Sequence, residues 1–198
     1  MAFSNTLMPA TNIAAVILAA GGSSRFGSPK QLLSYNGTSL IRHVTNIALT
    51  SNATTVSVVL GASAEKVGAE LSGLSVQLVR NEQWQEGISS SLRAGIASLP
   101  DTTNAVLILL CDQPLVTTEL LNIIIDRSTS TGKPIVASEY SGTYGVPALF
   151  DRSLFAELLA LEGDKGAKAV ILRHPDEVVA ILFPGGEADI DTPGTQPE

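Results

Sequence analysis

The sequence predicts a three-layer α/β/α fold, in which helices cover both faces of a mostly parallel, Rossmann-like central sheet. Short apolar runs rich in β-branched residues alternate along the chain with segments whose apolar residues recur at helical spacing. The short runs are apolar on both faces, which is typical of parallel strands covered by helices on both sides. This alternation indicates β-α-β units with right-handed crossovers.

Four runs are predicted strands, and four apolar stripes are predicted helices. The strands are Ile13–Ala19, Thr55–Leu60, residues 76–79 and Ala105–Leu110. The helical stripes consist of Leu40, Ile41, Val44, Ile47 and Ala48; Ile88, Leu92, Ile96 and Leu99; Leu120, Leu121, Ile124 and Ile125; and Leu154, Phe155, Leu158 and Leu159. Ser39 stands where an N-cap of the first helix is expected. Residues 133–150, which contain glycines and Pro147, are expected to form a small β flap beside the main sheet.

The composition indicates one domain and argues against a nucleic-acid partner. The chain has 198 residues, of which 44% are hydrophobic, so it is long enough to bury a sizeable core. We expect a single domain over 13–194, with a flexible leader over 1–12 and a flexible tail over 195–198. The formal net charge is −7, and the 12 Lys and Arg residues form no basic block, so a nucleic-acid-binding surface is not expected.

Cysteine usage and hydropathy predict a cytoplasmic protein. The single cysteine, Cys111, excludes an intrachain disulfide and a cysteine-based zinc site, and it suits a reducing compartment. No apolar run is as long as a membrane span. Residues 1–12 lack the charged start and the long apolar centre of a secretory signal.

The segment after the first strand, residues 18–30 with the sequence LAAGGSSRFGSPK, has the composition of a phosphate-binding turn. Glycines let backbone N–H groups approach an anion closely, and Arg25 and Lys30 add positive charge, so we expect a triphosphate ligand. The segment lacks the GxGxxG spacing of dinucleotide-binding loops. Ser-Pro-Lys also stands where a Walker A loop has Lys followed by Ser or Thr. On these residues alone, a flexible turn with two solvated cations is the alternative.

A second polar position follows another predicted strand. Asp112 comes directly after the strand Ala105–Leu110, and Pro114 ends any further strand pairing. Ligands of open α/β sheets bind beyond the carboxyl ends of the strands, so Asp112 and the glycine-rich turn are expected at the same edge. Mg²⁺ takes one or two carboxylates together with phosphate oxygens, which makes Asp112 the first candidate ligand. An N-cap or turn aspartate is the alternative for this residue alone.

Residues 18–30 resemble the signature of the nucleotidyltransferases related to molybdenum cofactor enzymes, the MobA-like NTP transferases. Further matches follow in the family's order, and they are residues 87–95 (GISSSLRAG), 111–114 (CDQP), 145–150 (GVPALF), 163–168 (GDKGAK) and 189–193 (DIDTP). The pattern is most similar to molybdenum cofactor cytidylyltransferase, with the guanylyltransferase as its sister. The segments CDQP and GDKGA favour the cytidylyl branch.

The resemblance implies roles for individual residues. The expected catalytic residues are Arg25, Lys30 and Asp112. The expected nucleotide-binding residues are Leu18, Ala19, Ala20, Gly21, Gly22, Ser23, Ser24, Gly87, Ser90 and Ser91. The expected acceptor-binding residues are Gly145, Pro147, Gly163, Asp164 and Lys168, of which Lys168 stands where the family often has arginine.

The second metal ligand is expected near the C-terminal end of the sequence. If residues 189–191 are extended, Asp189 and Asp191 point to the same face. Related enzymes place a carboxylate or an amide near this position, and we favour Asp191, with Asp189 as the second candidate. A solvated acidic terminus is the alternative.

The resemblance implies a Mg²⁺-dependent enzyme that joins CMP from CTP to molybdopterin carrying molybdenum and releases pyrophosphate. It also allows a molybdenum hydroxylase apoenzyme as a partner. Guanylyl transfer on the same fold and a non-catalytic cofactor carrier are the alternatives, and an oxidoreductase lacks support from a dinucleotide fingerprint. His43 and His174 show no metal-ligand spacing, while Trp84 and Cys111 are interpreted as packing residues.

Overall fold

The computed structural model describes residues 12–22 and 29–188 of the chain. Its strands are β1 (Ile13–Ala19), β2 (Ser34–Tyr35), β3 (Thr38–Ser39), β4 (Thr55–Leu60), β5 (Gln77–Arg80), β6 (Ala105–Leu110), β7 (Ile135–Tyr140), β8 (Thr143–Asp151) and β9 (Val178–Leu182). Its α-helices are α1 (Leu40–Thr50), α2 (Ala64–Ala69), α3 (Ile88–Ala97), α4 (Thr118–Thr131), α5 (Phe155–Leu159) and α6 (Lys168–Ile171). Short 3-10 helices occur at Lys30–Leu32, Trp84–Glu86, Arg152–Leu154 and Pro175–Glu177.

Seven strands form the main sheet in the order β5-β4-β1-β6-β8-β7-β9. All of them run in one direction except β8, which pairs antiparallel with both β6 and β7. β1 lies near the middle, with β4 and β6 on its two sides, and each of its seven residues is buried. This confirms the predicted mostly parallel α/β fold.

The four predicted strands are present and the four predicted helical stripes correspond to α1, α3, α4 and α5, whereas β2, β3, β9, α2 and α6 were not predicted. Three predicted strands have the observed bounds, and the fourth, β5, begins and ends one residue later than expected. α1 begins directly after Ser39, as predicted. The Ser39 side chain nevertheless makes no capping hydrogen bond, and its buried Oγ has no partner among the described residues.

The prediction that residues 133–150 form a small β flap beside the main sheet is wrong. β7 and β8 form a hairpin around Ser141 and Gly142, both with positive φ, and this hairpin is part of the main sheet. Its side chains explain the difference, because Val136 and Phe150 are fully buried and can be covered only inside the three-layer core. A separate two-stranded ribbon does exist, but β2 and β3 form it around the turn Asn36-Gly37.

Alternating side chains of the central strand divide the core into two layers. Ile13, Ala15 and Ile17 pack on one face, where buried residues of α1 and α4 cover them. Val16 and Leu18 pack on the other face with α3, α5 and α6. Within residues 12–22 and 29–188, no helix is long and apolar enough to cross a membrane.

A candidate nucleotide site at the carboxyl ends of β1 and β6

The carboxyl ends of β1 and β6 lie side by side and open into a cavity of about 380 Å³. Leu18 of β1 is in register with Leu110 of β6, and the backbone N–H of Cys111 donates to the Leu18 carbonyl at 3.3 Å. The first residues beyond these strands therefore face a shared space. This pairing brings Gly21 and Gly22, at the start of the glycine-rich turn, to the same edge as Asp112, as the sequence predicted.

Ten of the residues singled out in the sequence line this cavity. They come from four separate parts of the chain, and they are Leu18, Ala19, Ala20, Gly21, Gly22, Lys30, Gly87, Ser91, Asp112 and Asp164. Five others lie outside the described residues, and they are Ser23, Ser24, Arg25, Asp189 and Asp191.

Lys30 and Asp112 form an ion pair on the cavity wall. The ammonium of Lys30 donates to Oδ2 of Asp112, and the side chains are 20% and 14% exposed. Partial burial reduces solvent screening, so this pair interacts more strongly than an exposed one. The cation after β1 and the carboxylate after β6 are thus held together before any ligand binds.

The second carboxylate oxygen of Asp112 is available for a cation. Oδ1 is buried and accepts no hydrogen bond from residues 12–22 and 29–188. A buried oxygen without a partner is costly unless a ligand satisfies it. One carboxylate suits Mg²⁺, which takes its remaining ligands from phosphates and water, and the described residues contain no cluster of three metal-ligating side chains.

The N-terminus of α3 forms another wall of the cavity, and the serines at its start differ in whether they reach the cavity. Gly87 has φ +100°, a conformation that side chains disfavour, and Ser91 reaches the cavity. Ser90 does not line the cavity, because its hydroxyl donates to the Gly87 carbonyl at 2.8 Å. The Asn81 amide donates to both hydroxyls, at 2.8 Å to Ser90 and 3.1 Å to Ser91.

Of the expected acceptor-binding residues, Asp164 lines the cavity. Gly163 lies behind it, where its carbonyl accepts from the Ser89 N–H at 3.1 Å and its backbone touches Gly87. A Cβ on Gly87 would lie 2.5 Å from Gly163, so only glycine admits this contact. Gly163 instead borders a neighbouring cavity of about 360 Å³ beside Arg93.

The structure does not bring the other three expected acceptor-binding residues to the cavity wall. Gly145 packs on Tyr140, whose hydroxyl would lie 2.0 Å from an added Cβ. Pro147 follows a cis peptide bond, and its carbonyl accepts from the Ser138 hydroxyl at 2.7 Å. Lys168 is exposed at the start of α6.

Sequence reasoning missed several wall residues. Gln31 is 1% exposed and donates from Nε2 to the carbonyls of Ala19 and Gly21, at 2.9 Å each. The ring of Trp84 lies against Gly22, so this residue packs, as expected, and also borders the cavity. Gln85, Ile88, Leu110 and Cys111 complete the wall. The signals in the sequence were the position of Gln31 next to Lys30 and the presence of Ile88 and Cys111 in the matched segments 87–95 and 111–114.

Cys111 combines burial with a place on the cavity wall. Its side chain is 3% exposed, as expected for a small apolar residue. Burial is the main cause that raises the pKa of the thiol, and the neighbouring charge of Asp112 adds to the rise, whereas Lys30 opposes it. The thiol is therefore protonated at neutral pH. His43, which contacts the Pro114 carbonyl, and His174, which contacts Glu157, are not among the residues that line this cavity.

Comparison with known proteins gives a consistent family assignment. The model of the MobA-like NTP transferase domain matches residues 15–178. Nicotine blue oxidoreductase from Paenarthrobacter nicotinovorans is 32% identical over 190 residues, which is 91% of this chain and 92% of that protein. The bifunctional protein GlmU of Chromohalobacter salexigens is 35% identical over 134 residues. The match covers 66% of this chain but only 29% of the length of GlmU.

Solved structures share the fold. The crystal structure of Rv0371c from Mycobacterium tuberculosis has a TM-score of 0.83 at 32% identity, covering 93% of this chain and 95% of that one. A manganese complex of the same protein has a TM-score of 0.75 at 31% identity, covering 88% of this chain and 89% of that one. The nucleotidyl transferase Mth528 from Methanothermobacter has a TM-score of 0.79 at 24% identity. The match covers 91% of this chain and 92% of that one, and it shows that the fold is similar.

Proposed function

Because the chain belongs to the MobA-like NTP transferase family, we propose that this nucleotidyltransferase transfers CMP from CTP to molybdopterin carrying molybdenum. The observation that carries the proposal is the joint edge of β1 and β6. There Gly21, Gly22, the Lys30 ammonium and the Asp112 carboxylate line one cavity, and Oδ1 of Asp112 accepts no hydrogen bond from the described residues. A nucleoside triphosphate with its divalent cation matches this set of charges, since it carries both anionic oxygens and a cation.

The reaction is a displacement at the α-phosphorus. An oxygen of the terminal phosphate of the pterin forms the new bond, and the bond to the β-phosphate oxygen breaks, so pyrophosphate leaves with the released negative charge. Arg25 and Lys30 stabilise that charge electrostatically. Ala19, Ala20 and Ser91 contact the base and the ribose, while Asp164 stands on the acceptor side.

A magnesium ion is proposed at Asp112. Asp112 would supply one carboxylate, and Asp191 the second, with Asp189 as the other candidate. The ion neutralises and aligns the phosphate oxygens when it is bound. The manganese complex of the Rv0371c relative supports a divalent cation at this fold.

The preference for CTP rests on the resemblance of residues 111–114 and 163–168 to the cytidylyl branch. A thermal-shift panel of the four ribonucleoside triphosphates with Mg²⁺ tests it, because ligand binding stabilises the folded state according to affinity and concentration. CTP is expected to give the largest rise in melting temperature. A larger rise with GTP would favour the guanylyltransferase alternative.

Activity is tested by incubating the purified protein with CTP, Mg²⁺ and molybdenum-loaded molybdopterin, and by measuring pyrophosphate and the cytidine dinucleotide form of the cofactor. Formation of both products is expected. Tight cofactor binding without turnover would instead support a carrier that hands the cofactor to a molybdenum hydroxylase apoenzyme. No turnover and no cofactor binding would contradict the proposed acceptor.

The similarity to nicotine blue oxidoreductase over 91% of the chain favours a second candidate, a reductase of an organic dye. The sequence contains no GxGxxG fingerprint for a nicotinamide dinucleotide. The two candidates are separated by following NADH and NADPH absorbance in the presence of nicotine blue. Oxidation of either nucleotide that depends on the protein would support the reductase, and its absence would remove this candidate.

A further inference from the structure

Two neighbouring side chains connect the ends of the two strands that form the site. Lys30 and Gln31 belong to one 3-10 helix, which is closed by the Leu32 N–H donating to the Pro29 carbonyl at 3.0 Å. Lys30 reaches the end of β6 through its ion pair with Asp112. Gln31 reaches the end of β1 through two hydrogen bonds of 2.9 Å. One short segment therefore fixes both edges of the cavity.

The Gln31 amide binds the backbone directly after β1 at two points. It donates to the carbonyls of Ala19 and Gly21, which belong to alternate peptide groups of the turn. Because a peptide group is planar and trans, fixing each carbonyl also fixes the N–H of the next residue on the opposite side, here Ala20 and Gly22. Residues 19–22 are two alanines and two glycines, so this part of the turn has no side chain that could hold it by hydrogen bonds.

The chemistry of these two carbonyls also matters for an anionic ligand. The partial negative charge of a carbonyl oxygen repels a polyphosphate. At the cavity wall, the Gln31 amide donates a hydrogen bond to both carbonyl oxygens and reduces this repulsion. The side chain is 1% exposed, so solvent does not replace it. A buried amide that donates twice also keeps these acceptors satisfied.

We propose that Gln31 is a positioning residue, which holds residues 19–22, at the start of the glycine-rich turn, in their triphosphate-binding conformation and keeps Lys30 next to Asp112. This inference rests on the proposed triphosphate site but not on the identity of the base or of the acceptor. Gln31→Met removes the donor at similar volume. Gln31→Glu keeps the shape but offers no donor when ionised. Gln77→Met, on the exposed start of edge strand β5, is the matched control.

Binding is measured by calorimetry on the full chain with two probes, inorganic tripolyphosphate and CTP, each with Mg²⁺. Both Gln31 variants are expected to bind both probes about tenfold more weakly, the order expected for the loss of two neutral hydrogen bonds. Gln77→Met is expected to bind like the parent chain. The equal loss for a probe without a base assigns the effect to the phosphate-binding turn.

Hydrogen exchange without ligand separates positioning from a general loss of stability. Amides of residues 20–22 are expected to exchange faster in Gln31→Met, while those of β1 and β6 stay unchanged. Should Gln31→Met fail to fold, Gln31→Asn, whose amide is one methylene shorter, serves for the same comparison.

Three outcomes distinguish this inference from the proposed function. Unchanged tripolyphosphate affinity together with unchanged exchange in the variants overturns the role of Gln31. A parent chain that binds tripolyphosphate but does not turn over CTP overturns the proposed reaction and leaves the inference intact. A parent chain that binds neither probe overturns both.

Discussion

The Lys30 ammonium lies against Oδ2 of Asp112, although 82 positions separate the two residues in the sequence. The pair joins the segment after β1 to the residue after β6, and it leaves Oδ1 of the same carboxylate without a partner among the described residues. A triphosphate and its cation would therefore meet a preformed pair of opposite charges. Positioning of this kind lowers a barrier because the groups need no reorganisation during the reaction.

Asp112→Asn is expected to reduce kcat by about 10²–10³-fold, the order typical for the loss of one preorganised electrostatic group. The amide has the same shape but cannot supply the proposed carboxylate ligand. Steady-state kinetics over a range of Mg²⁺ concentrations measure the effect, with the exposed Asp126→Asn on α4 as control. A rate equal to that of the parent chain would remove Asp112 from the proposed site.

Lys30→Met and Asp112→Asn are expected to be non-additive, because the two side chains act as one unit. The double variant should lose hardly more activity than the more damaged single variant. Each single change also removes the partly buried ion pair, at a cost of about 1–3 kcal/mol in the free energy of unfolding. Urea denaturation of the four chains in a double-mutant cycle measures the coupling, and strictly additive losses would contradict it.

Gly61→Ala is expected to lower the free energy of unfolding by about 1–3 kcal/mol, since overpacking forces neighbouring groups apart. A Cβ at this position would lie 2.6 Å from Cβ of Trp84 and 2.8 Å from Cβ of Ala20. The control is Gly68→Ala in α2, where an added Cβ has its nearest contact at 3.4 Å and helix propensity gains up to about 1 kcal/mol. Denaturation curves should therefore shift in opposite directions, and equal shifts would contradict the packing of Trp84.

Trp84 is the single tryptophan of the chain, and it lines the cavity. Its emission is expected to change on titration with CTP and Mg²⁺, because a ligand would replace water around the partly exposed indole. A solution of free tryptophan amide with the same nucleotide corrects for absorption. Unchanged emission under conditions where calorimetry detects binding would place the nucleotide away from Trp84.

Cys111 gives the protein an expected loss of stability in alkaline solution. Its pKa is raised in the folded state, so above the ordinary value near 9 the unfolded chain releases a proton that the native chain retains. The free energy of unfolding therefore falls as pH rises, by up to about 1.4 kcal/mol per pH unit from this group. Urea denaturation at several alkaline pH values should show a shallower slope for Cys111→Ala, and parallel slopes would contradict the burial of the thiol.

Local patterns made the site partly predictable. The strands Ile13–Ala19 and Ala105–Leu110 can be recognised from the apolar, β-branched composition of consecutive residues. The carboxyl ends of parallel strands lie at the same edge of a sheet. The positions of Gly21 and Asp112 directly after two such strands therefore predict that both residues lie at that edge. The roles assigned to Arg25, Asp189 and Asp191 remain predictions, because these residues lie outside the described part of the chain.

The sequence by itself determined the α/β class, four strands and the edge at which Gly21 and Asp112 meet, because these depend on side-chain periodicity and strand direction. The tertiary structure decided that β7 and β8 enter the main sheet, that Ser90 turns away from the cavity, and that Gln31 holds the turn after β1. These features depend on contacts between distant segments. When the whole chain packs, buried surfaces and hydrogen-bonding groups from distant segments must find partners. No local sequence pattern contains the information about which groups become partners.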